Sequence, residues 1–213
     1  MKVYVISGLG ADFTVLNKLK FDQSLKIIPI DWLIPNQNET LKDYAFRMAE
    51  TISADEDFYL LGYSFGGILV QEIHKIKPAK KIVIIASIKS DTEKSLVMKA
   101  GKMTKITQIL PLKFYGSGPT ESYAFIRKIF DSKNANIMTY LHVRDPYYLK
   151  WSIQQILDWK MEKMPDVIQI LGENDLVFPL KNSQPDYVIK GGTHLFPLTK
   201  YKEVSKILNK ILV

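Results

Sequence analysis

Cysteine is absent from the 213-residue sequence, and histidine occurs only three times. Without cysteine the protein has no disulfide bonds, no thiolate metal sites and no cysteine nucleophile. Three histidines leave little material for a metal cluster that is built on imidazole ligands. These two shortages exclude the cysteine-based enzyme classes, and we expect no metal site.

Long apolar runs are missing as well. The apolar run in Met1–Gly8 is too short and too quickly broken for a secretory signal peptide. No uninterrupted apolar stretch approaches the ~20 residues that a membrane-spanning helix needs. We therefore expect a cytoplasmic location and no membrane span.

Arginine is the residue best suited to bidentate phosphate recognition, and it occurs only at positions 47, 127 and 144. The formal net charge of +7 comes mostly from lysines that are scattered along the sequence. Because nucleic-acid readers usually cluster arginine with aromatic residues, we predict no nucleic-acid partner. We interpret the charge as a solvated lysine-rich surface, with attraction of anionic substrates as a weaker alternative.

What is present is a regular alternation of strand and helix patterns, in a chain whose length suits one domain. The six predicted strands are short, β-branched and almost continuously apolar, which is typical of strands buried on both faces of a parallel sheet. They are Val3–Ser7, Lys26–Ile30, Phe58–Gly62, Ile82–Ser87, Val167–Leu171 and Asp186–Ile189. Helical patterns cover residues 12–20, 39–52, 65–76 and 197–212. This alternation predicts an α/β fold with a parallel sheet.

The stretch 89–163 breaks the alternation, because it contains no strand pattern. It is rich in aromatic residues, and four helical segments are predicted in it, at 92–109, 119–131, 134–144 and 147–160. A helical insertion of this length often acts as a lid, although a second helical layer with its own core is the alternative. We therefore predict a core made of residues 1–88 and 164–213, with residues 89–163 as a helical cap.

The segment Gly62–Gly67 reads Gly-Tyr-Ser-Phe-Gly-Gly and lies between the apolar strand Phe58–Leu61 and a helix that opens at Ile68. This is the Gly-x-Ser-x-Gly pattern of a nucleophile elbow, in its required context of strand, sharp turn and helix. The alternative is a glycine-rich strand-to-helix turn without chemistry.

The chemistry of an elbow accounts for its residue types. Ser64 has to sit at a strained turn so that its hydroxyl projects above the sheet, and side chains in place of Gly62 and Gly66 would clash. The following helix directs its N-terminal N–H groups at the site, so the backbone N–H of Phe65 can stabilise an oxyanion. Ser64 is therefore the predicted nucleophile.

A serine nucleophile needs a base and an acid that orients the base. His194 is the predicted base, because it lies on a glycine-rich loop after the last strand. We interpret His74 as an ordinary surface residue and His142 as a packed or lid-surface residue.

The orienting acid is expected on the loop after a late strand. Asp175, four residues past the strand that ends at Leu171, is the first choice. Glu173 is the second choice and Asp91 is the third. A helix N-cap before Leu176 is the structural alternative for Asp175.

The order Ser64, Asp175, His194 is the chain order of α/β-hydrolases, and the sequence resembles that superfamily. The resemblance covers nearly the whole chain and is carried by the elbow, by Gly172–Pro179 around the acid and by Gly191–Pro197 around the histidine. It implies hydrolysis of an ester, a thioester or an amide. It also implies a helical cap inserted before the acid-bearing strand, which is the place of residues 89–163.

Members of the family often carry His-Gly-x after the first central strand, and the x residue donates its backbone N–H to the oxyanion. The matching stretch here is Ser7–Gly10, so the resemblance implies Leu9 as the donor, with Ser7 in place of the histidine. The family usually has two antiparallel strands before this one, whereas this chain starts directly with it. We therefore predict a shortened sheet of six parallel strands in the order 2-1-3-4-5-6.

These residues predict a carboxylesterase-like serine hydrolase that forms an acyl-enzyme on Ser64 and requires no metal or organic cofactor. The aromatic insertion indicates an apolar pocket, for which Tyr63 and Trp151 are candidate residues, with core packing as the alternative. The expected partner is a small-molecule ester or thioester with a small to medium apolar acyl group. No oligomeric state is predicted.

Three alternatives stay open. The same three residues serve acyl transfer, C–C bond cleavage or elimination. A non-catalytic relative of the family would bind a ligand or a protein. Finally, Gly8–Phe13 imitates a dinucleotide-binding fingerprint, with Asp31 as its later acid, although Phe13 stands where the third glycine is needed.

Overall fold

The computed structural model describes residues 1–53, 55–116, 130, 137–161 and 166–213. They form one six-stranded sheet with helices packed on both of its faces. Within these residues no helix combines the length and the apolar character that crossing a membrane requires.

The sheet contains only parallel strand pairs. Its strands are β1 (Lys2–Ile6), β2 (Lys26–Pro29), β3 (Phe58–Tyr63), β4 (Lys81–Ile85), β5 (Val167–Gly172) and β6 (Tyr187–Ile189). They lie in the order β2-β1-β3-β4-β5-β6, which confirms the predicted topology. Because the strands are parallel, the loops that follow all six of them meet at one edge, the carboxyl edge of the sheet.

Successive residues of a strand point to opposite faces, so the sheet builds two cores. In β3, Leu60 faces a core that includes the helix Phe65–Ile76, whereas Leu61 faces a core that includes the helix Tyr201–Leu212. Both leucines are completely buried. Because these strands are buried on both faces, their sequences are almost continuously apolar.

The α-helices are Leu41–Ala49, Phe65–Ile76, Leu96–Met103, Ile106–Ile109, Lys113–Gly116, Pro146–Asp158, Phe196–Thr199 and Tyr201–Leu212. Short 3-10 helices cover Phe13–Leu16, Asp91–Glu93, Ile137–Tyr140 and Leu180–Asn182. The helices predicted at 65–76 and 147–160 are confirmed, the second as Pro146–Asp158. The helix predicted at 39–52 is shorter, because the side chain of Thr40 caps it by accepting a hydrogen bond from the N–H of Asp43.

Three further helix predictions differ from the structure in extent or type. Residues 12–20 form only the short 3-10 helix Phe13–Leu16, which Asp12 caps by accepting the N–H of Thr14. The N–H groups of Asn17 and Leu19 bond to carbonyls three residues back, as in a 3-10 helix, rather than four residues back, as in an α-helix. The helix predicted at 92–109 is broken where Lys105 takes the left-handed conformation, with φ of 51°. The pattern at 197–212 is split at Lys200 into two helices.

The stretch between β4 and β5 is helical wherever regular structure is described. The helix predicted at 119–131 lies outside the described residues except for residue 130, and so does the first part of the one predicted at 134–144. The described part of the latter is a 3-10 turn followed by a single β-bridge between Leu141 and Ala11. The division of the chain into a core and a cap with boundaries at 89 and 163 stays a prediction.

Lys94 attaches the helix Pro146–Asp158 to the segment that follows β4. Its side chain is buried, and Nζ donates hydrogen bonds to the carbonyl oxygens of Leu157, at 2.9 Å, and Trp159, at 2.6 Å. Burial lowers the pKa of Lys94 to about 8, and the charge of Lys102 acts in the same direction. The amine thereby satisfies carbonyl groups at the C-terminal end of the helix, which the helix itself leaves unpaired.

Candidate active site

Ser64 lies at the sharp turn between β3 and the helix Phe65–Ile76, with φ of 54° and ψ of −118°. Such a conformation costs on the order of 1–3 kcal/mol for a residue with a side chain, and the surrounding packing has to maintain it. A Cβ atom on Gly62 would lie 2.4 Å from the carbonyl oxygen of Gly66, and one on Gly66 would lie 2.3 Å from that of Ile6. The two predicted elbow glycines therefore permit the close approach of the helix to β3 and β1.

The structure brings Ser64, His194 and Asp175 into one hydrogen-bonded chain. Nε2 of His194 lies 2.9 Å from Oγ of Ser64, and Nδ1 lies 2.8 Å from Oδ2 of Asp175. The three residues are 6%, 0% and 2% exposed, so bulk water hardly screens these contacts. Because a carboxylate only accepts hydrogen bonds, Nδ1 carries the proton and Nε2 is left to accept from the serine hydroxyl.

Backbone contacts between two loops place Asp175 against His194. The N–H of Asn174 donates to the carbonyl of Gly192 at 2.8 Å, and a Cβ atom on Gly172 would lie 2.4 Å from that same oxygen. The other carboxylate oxygen of Asp175 accepts the N–H groups of Val177, at 2.8 Å, and Phe178, at 2.9 Å. One oxygen of Asp175 therefore caps the backbone after it, as the structural alternative predicted. The other oxygen contacts His194.

The other acidic candidates have different partners. Glu173 accepts the backbone N–H of Gly191 at 2.8 Å and so braces the histidine loop from outside. Asp91 begins the 3-10 turn Asp91–Glu93. Asp175 is the carboxylate that contacts His194.

Neither of the other histidines contacts Ser64. His74 is half-buried, contrary to the prediction of an ordinary surface residue, because its Nδ1 accepts the N–H of Ala79 at 3.0 Å. Burial lowers its pKa. His142 lies at the surface with Nδ1 2.6 Å from Oδ2 of Asp12, in keeping with the predicted surface role.

The loop after β1, which carries Leu9, packs against Ser64 through Gly8. Residues Gly8 to Ala11 form a tight turn in which the N–H of Ala11 donates to the carbonyl of Gly8 at 3.0 Å. A Cβ atom on Gly8 would lie 3.3 Å from Cβ of Ser64, so this turn packs directly on the elbow. The backbone N–H groups of Leu9 and Phe65, the two predicted oxyanion donors, are therefore on the two segments that border Ser64.

The same turn argues against dinucleotide binding. That fingerprint needs an α-helix whose N-terminus begins at the glycine turn and faces the pyrophosphate. Here the turn leads into the four-residue 3-10 helix Phe13–Leu16.

The sequence did not predict that Trp32 forms hydrogen bonds with the turn at Gly8 to Ala11. Nε1 of Trp32, in the loop after β2, lies 2.9 Å from the carbonyl oxygen of Ala11 and 3.1 Å from that of Gly8. Oγ of Ser7, which replaces the family's histidine, donates to the carbonyl of Ala11. The position of Trp32 in the sequence could have indicated this contact, because Trp32 follows β2, the strand adjacent to β1, at the same edge of the sheet.

Of the two candidate pocket residues, Tyr63 lies in the core. It is 2% exposed, and its hydroxyl donates to the backbone carbonyl of His194 at 3.1 Å. Burial raises the pKa of Tyr63, and the charge of Asp175 raises it further, so the hydroxyl stays a neutral donor. The packing alternative for Tyr63 is therefore the one that the structure supports.

Trp151, the second candidate, packs 6.5 Å from the ring of Phe65, and its indole N–H donates to the carbonyl of Glu39. Aromatic rings also surround His194. Phe130, which comes from the insertion, lies edge-on at 4.7 Å between ring centroids, and Phe178 lies at 5.7 Å. The surroundings of the triad are thus strongly apolar.

No protein-family model and no curated protein sequence matches this chain. Solved structures do. A thermophilic esterase from Thermogutta terrifontis is 13% identical, with a TM-score of 0.69 over 100% of this chain and 89% of its own. A lipase-esterase related protein from Clostridium acetobutylicum is 15% identical, with a TM-score of 0.68 over 99% and 94%. Polyneuridine aldehyde esterase is 18% identical, with a TM-score of 0.61 over 99% of both chains.

These likenesses cover nearly all of each pair of chains, and the parallel six-stranded sheet fits them. At such low identity they establish architecture rather than activity. The chain has the α/β-hydrolase fold.

Proposed function

We propose that the protein is a serine hydrolase that cleaves carboxylic esters or thioesters through an acyl-enzyme on Ser64. The observation that carries the proposal is the buried chain of contacts from Ser64 through His194 to Asp175, at 2.9 and 2.8 Å. Three residues that lie far apart in sequence meet in the geometry that activates a serine hydroxyl.

In the first half of the reaction, Oγ of Ser64 attacks the acyl carbon and transfers its proton to Nε2 of His194. Asp175 holds the imidazole in the required tautomer and stabilises the imidazolium that forms. The N–H groups of Leu9 and Phe65 hold the negatively charged oxygen of the tetrahedral intermediate, where one such donor typically contributes about 3 kcal/mol. The imidazolium then gives its proton to the departing alcohol or thiol.

In the second half, a water molecule attacks the acyl-enzyme while His194 takes one of its protons. A second tetrahedral intermediate collapses, the proton returns to Oγ of Ser64, and the carboxylic acid leaves. The same base and the same two N–H groups serve both halves.

The substrate class follows from the apolar surroundings. The rings of Phe130 and Phe178 pack on His194, and Phe65 directly follows Ser64 and packs on Trp151. These apolar surroundings favour an apolar acyl group of small to medium size. The similar solved structures include proteins named as esterases, and an ester substrate is accordingly our first expectation.

The test is the Ser64→Ala variant assayed on p-nitrophenyl acetate, together with a fluorophosphonate probe. We expect the wild-type protein to turn over the ester and to carry the probe on Ser64. Ser64→Ala should lose about 10⁵-fold or more in kcat and all labelling, because the nucleophile is gone. Ser205→Ala is the matched control, since the hydroxyl of Ser205 donates to the carbonyl of Tyr201 in a helix that packs on the other face of the sheet.

A panel of esters, thioesters, acyl acceptors and diketones then defines the reaction. Faster acyl transfer to an added alcohol than to water would replace hydrolysis by acyl transfer, and diketone cleavage would indicate C–C chemistry. A wild-type protein without turnover of any panel member and without labelling of Ser64 would contradict the proposal and favour a binding role.

A further inference from the structure

Trp32 contacts both segments that supply the proposed oxyanion hole. We propose that Trp32 is a positioning residue of that hole, which holds the Leu9 turn with its N–H group and Phe65 with its ring. This inference rests on the proposed function. It assigns to a tryptophan after β2 the steadying role that the family resemblance gives to a histidine at position 7.

The hydrogen-bonding side of Trp32 faces the Leu9 turn. Its Nε1 lies 3.1 Å from Oγ of Ser7, 3.1 Å from the carbonyl oxygen of Gly8 and 2.9 Å from that of Ala11. These oxygens lie on both sides of Leu9 in the sequence. One donor therefore fixes the two ends of the turn that carries the Leu9 N–H.

The ring of Trp32 faces the elbow. It stacks on the ring of Phe65 with centroids 5.2 Å apart and an angle of 6° between the planes. Tyr148 packs on Trp32 at 5.7 Å, and its hydroxyl lies 3.4 Å from the backbone nitrogen of Gly10. Trp32 thus lies in a packed aromatic group that spans both donor segments.

The chemistry explains why such a residue is needed. An oxyanion donor is effective only when it lies about 2.7–3.1 Å from the oxygen that becomes charged. A displacement of about 1 Å can cost about 100-fold in rate. Glycines stand on both sides of Leu9, so the turn has little rigidity of its own. Contacts from outside the turn have to fix its position.

The decisive variant is Trp32→Phe, which keeps an aromatic ring against Phe65 and removes the indole N–H. We expect kcat for p-nitrophenyl acetate to fall about 10- to 100-fold with KM within about threefold, because the donor acts in the transition state. Binding of a trifluoromethyl ketone, whose adduct with Ser64 carries an oxyanion, should weaken by the same factor as kcat/KM.

Trp159→Phe is the matched control. Trp159 is also buried, and its indole N–H donates to Oε1 of Glu72 at 2.8 Å. Glu72 lies seven residues after Phe65 in the same helix, about two turns from the Phe65 N–H, and the contact does not reach the Leu9 turn. The control should keep kcat and the inhibitor affinity of the wild-type protein. Melting temperatures of both variants establish that the assays compare folded proteins.

If Trp32→Phe does not fold, Ser7→Ala gives the same test in a milder form, with a fall of about three- to tenfold in kcat and in inhibitor affinity. Wild-type kcat in the folded variant, or a loss that Trp159→Phe shares, would overturn the role of Trp32 while leaving the hydrolase intact. An inactive and unlabelled wild-type protein would instead overturn the proposed function, and the role of Trp32 with it.

Discussion

The elbow at Ser64 and the turn at Leu9 are both tight, glycine-containing turns at the carboxyl ends of adjacent strands, yet they are held in different ways. The shape of the elbow is set within the motif itself, since Gly62 lies against Gly66 and the following helix begins at once, and the finished turn then packs on β1 through Gly66. The Leu9 turn is held by residues far away in sequence, namely Trp32, Val143 and Tyr148. A turn of the first kind is encoded in a short motif, whereas a turn of the second kind depends on the completed fold.

Val143 and Leu141 show how far this dependence extends. The N–H of Val143 donates to the carbonyl of Gly10 at 2.9 Å, and Leu141 forms the β-bridge with Ala11. Both residues come from the insertion between β4 and β5. The backbone of the insertion therefore pairs directly with the turn that carries the proposed oxyanion donor.

The largest expected effect is on kcat, and it comes from changing Asp175, the acid that lies far from the elbow in sequence, while leaving the elbow unchanged. Asp175→Asn should lower kcat about 10⁴-fold, because an amide in that place can donate to Nδ1 and favour the wrong imidazole tautomer. Ser64 and the elbow stay intact in this variant, so fluorophosphonate labelling and ester kinetics together measure the loss. Glu173→Gln is the control and should change kcat less than threefold, because the glutamine oxygen can still accept the N–H of Gly191, as the Glu173 carboxylate does. Retention of a tenth of wild-type kcat in Asp175→Asn would count against the assigned role.

The second prediction concerns Gly66, where the two turns touch. A Cβ atom there would lie 2.3 and 2.4 Å from the carbonyl oxygens of Ile6 and Ser7, which are backbone atoms that cannot rotate away. Gly66→Ala should lower the free energy of unfolding by about 3 kcal/mol, as measured in urea. Gly101→Ala should instead raise it by about 0.5–1 kcal/mol, because Gly101 lies inside a helix with its nearest neighbour 3.5 Å away. Equal stability of the two variants would show that the elbow is not tightly packed on β1.

The third prediction tests the Leu9 turn by comparing two glycines with positive φ, of which only Gly10 lies in that turn. Gly10 has φ of 70° and Gly191 has φ of 66°, so alanine at either position should cost about 1–2 kcal/mol of folding stability. A Cβ atom on Gly10 would also lie 3.2 Å from the carbonyl oxygen of Val143, whereas one on Gly191 has no atom within 4 Å. We therefore expect kcat to fall about tenfold in Gly10→Ala alone. A similar kcat in both variants would mean that the turn tolerates displacement.

The smallest predicted effect depends on pH and concerns Asp12, beside the same turn. Burial raises its pKa, but hydrogen bonds from Thr14 and the contact with His142 outweigh burial, so the pKa lies below the ordinary value of 3.8. A lowered carboxyl pKa contributes stability above that value, which is lost as the pH falls through the folded-state pKa. His142→Gln should move the Asp12 pKa upwards in a carbon NMR titration and cost about 0.5 kcal/mol or less, as for other exposed pairs. An unchanged Asp12 titration would show that the pair does not form in solution.

These contrasts explain what could be predicted from the sequence. The strands, the elbow and the meeting of Ser64, Asp175 and His194 could be predicted because each is marked by local patterns, and because parallel strands bring their carboxyl ends together. Asp175 could be predicted although it both caps a turn and contacts His194, because both roles require the same position on the same loop.

The remaining features depend on contacts between distant residues. The hydrogen bonds of Trp32 to the Leu9 turn span more than 20 residues, and that of Tyr148 to Gly10 spans 138. Local backbone geometry accounts for the shortened helices, since the residues after Asp12 form 3-10 hydrogen bonds and Lys105 interrupts a helix with its positive φ. Neither effect changes the hydrophobic periodicity from which the helices were predicted.

The buried amine of Lys94 gives this fold an internal chemical reporter. Above a pH of about 8 the amine becomes neutral and hence nucleophilic, but Lys94 is only 3% exposed and its amine lies against the last carbonyl groups of the helix Pro146–Asp158. Acylating reagents reach it only when that helix lifts away. The rate at which Lys94 is acetylated in mild alkali therefore measures how often the helix detaches.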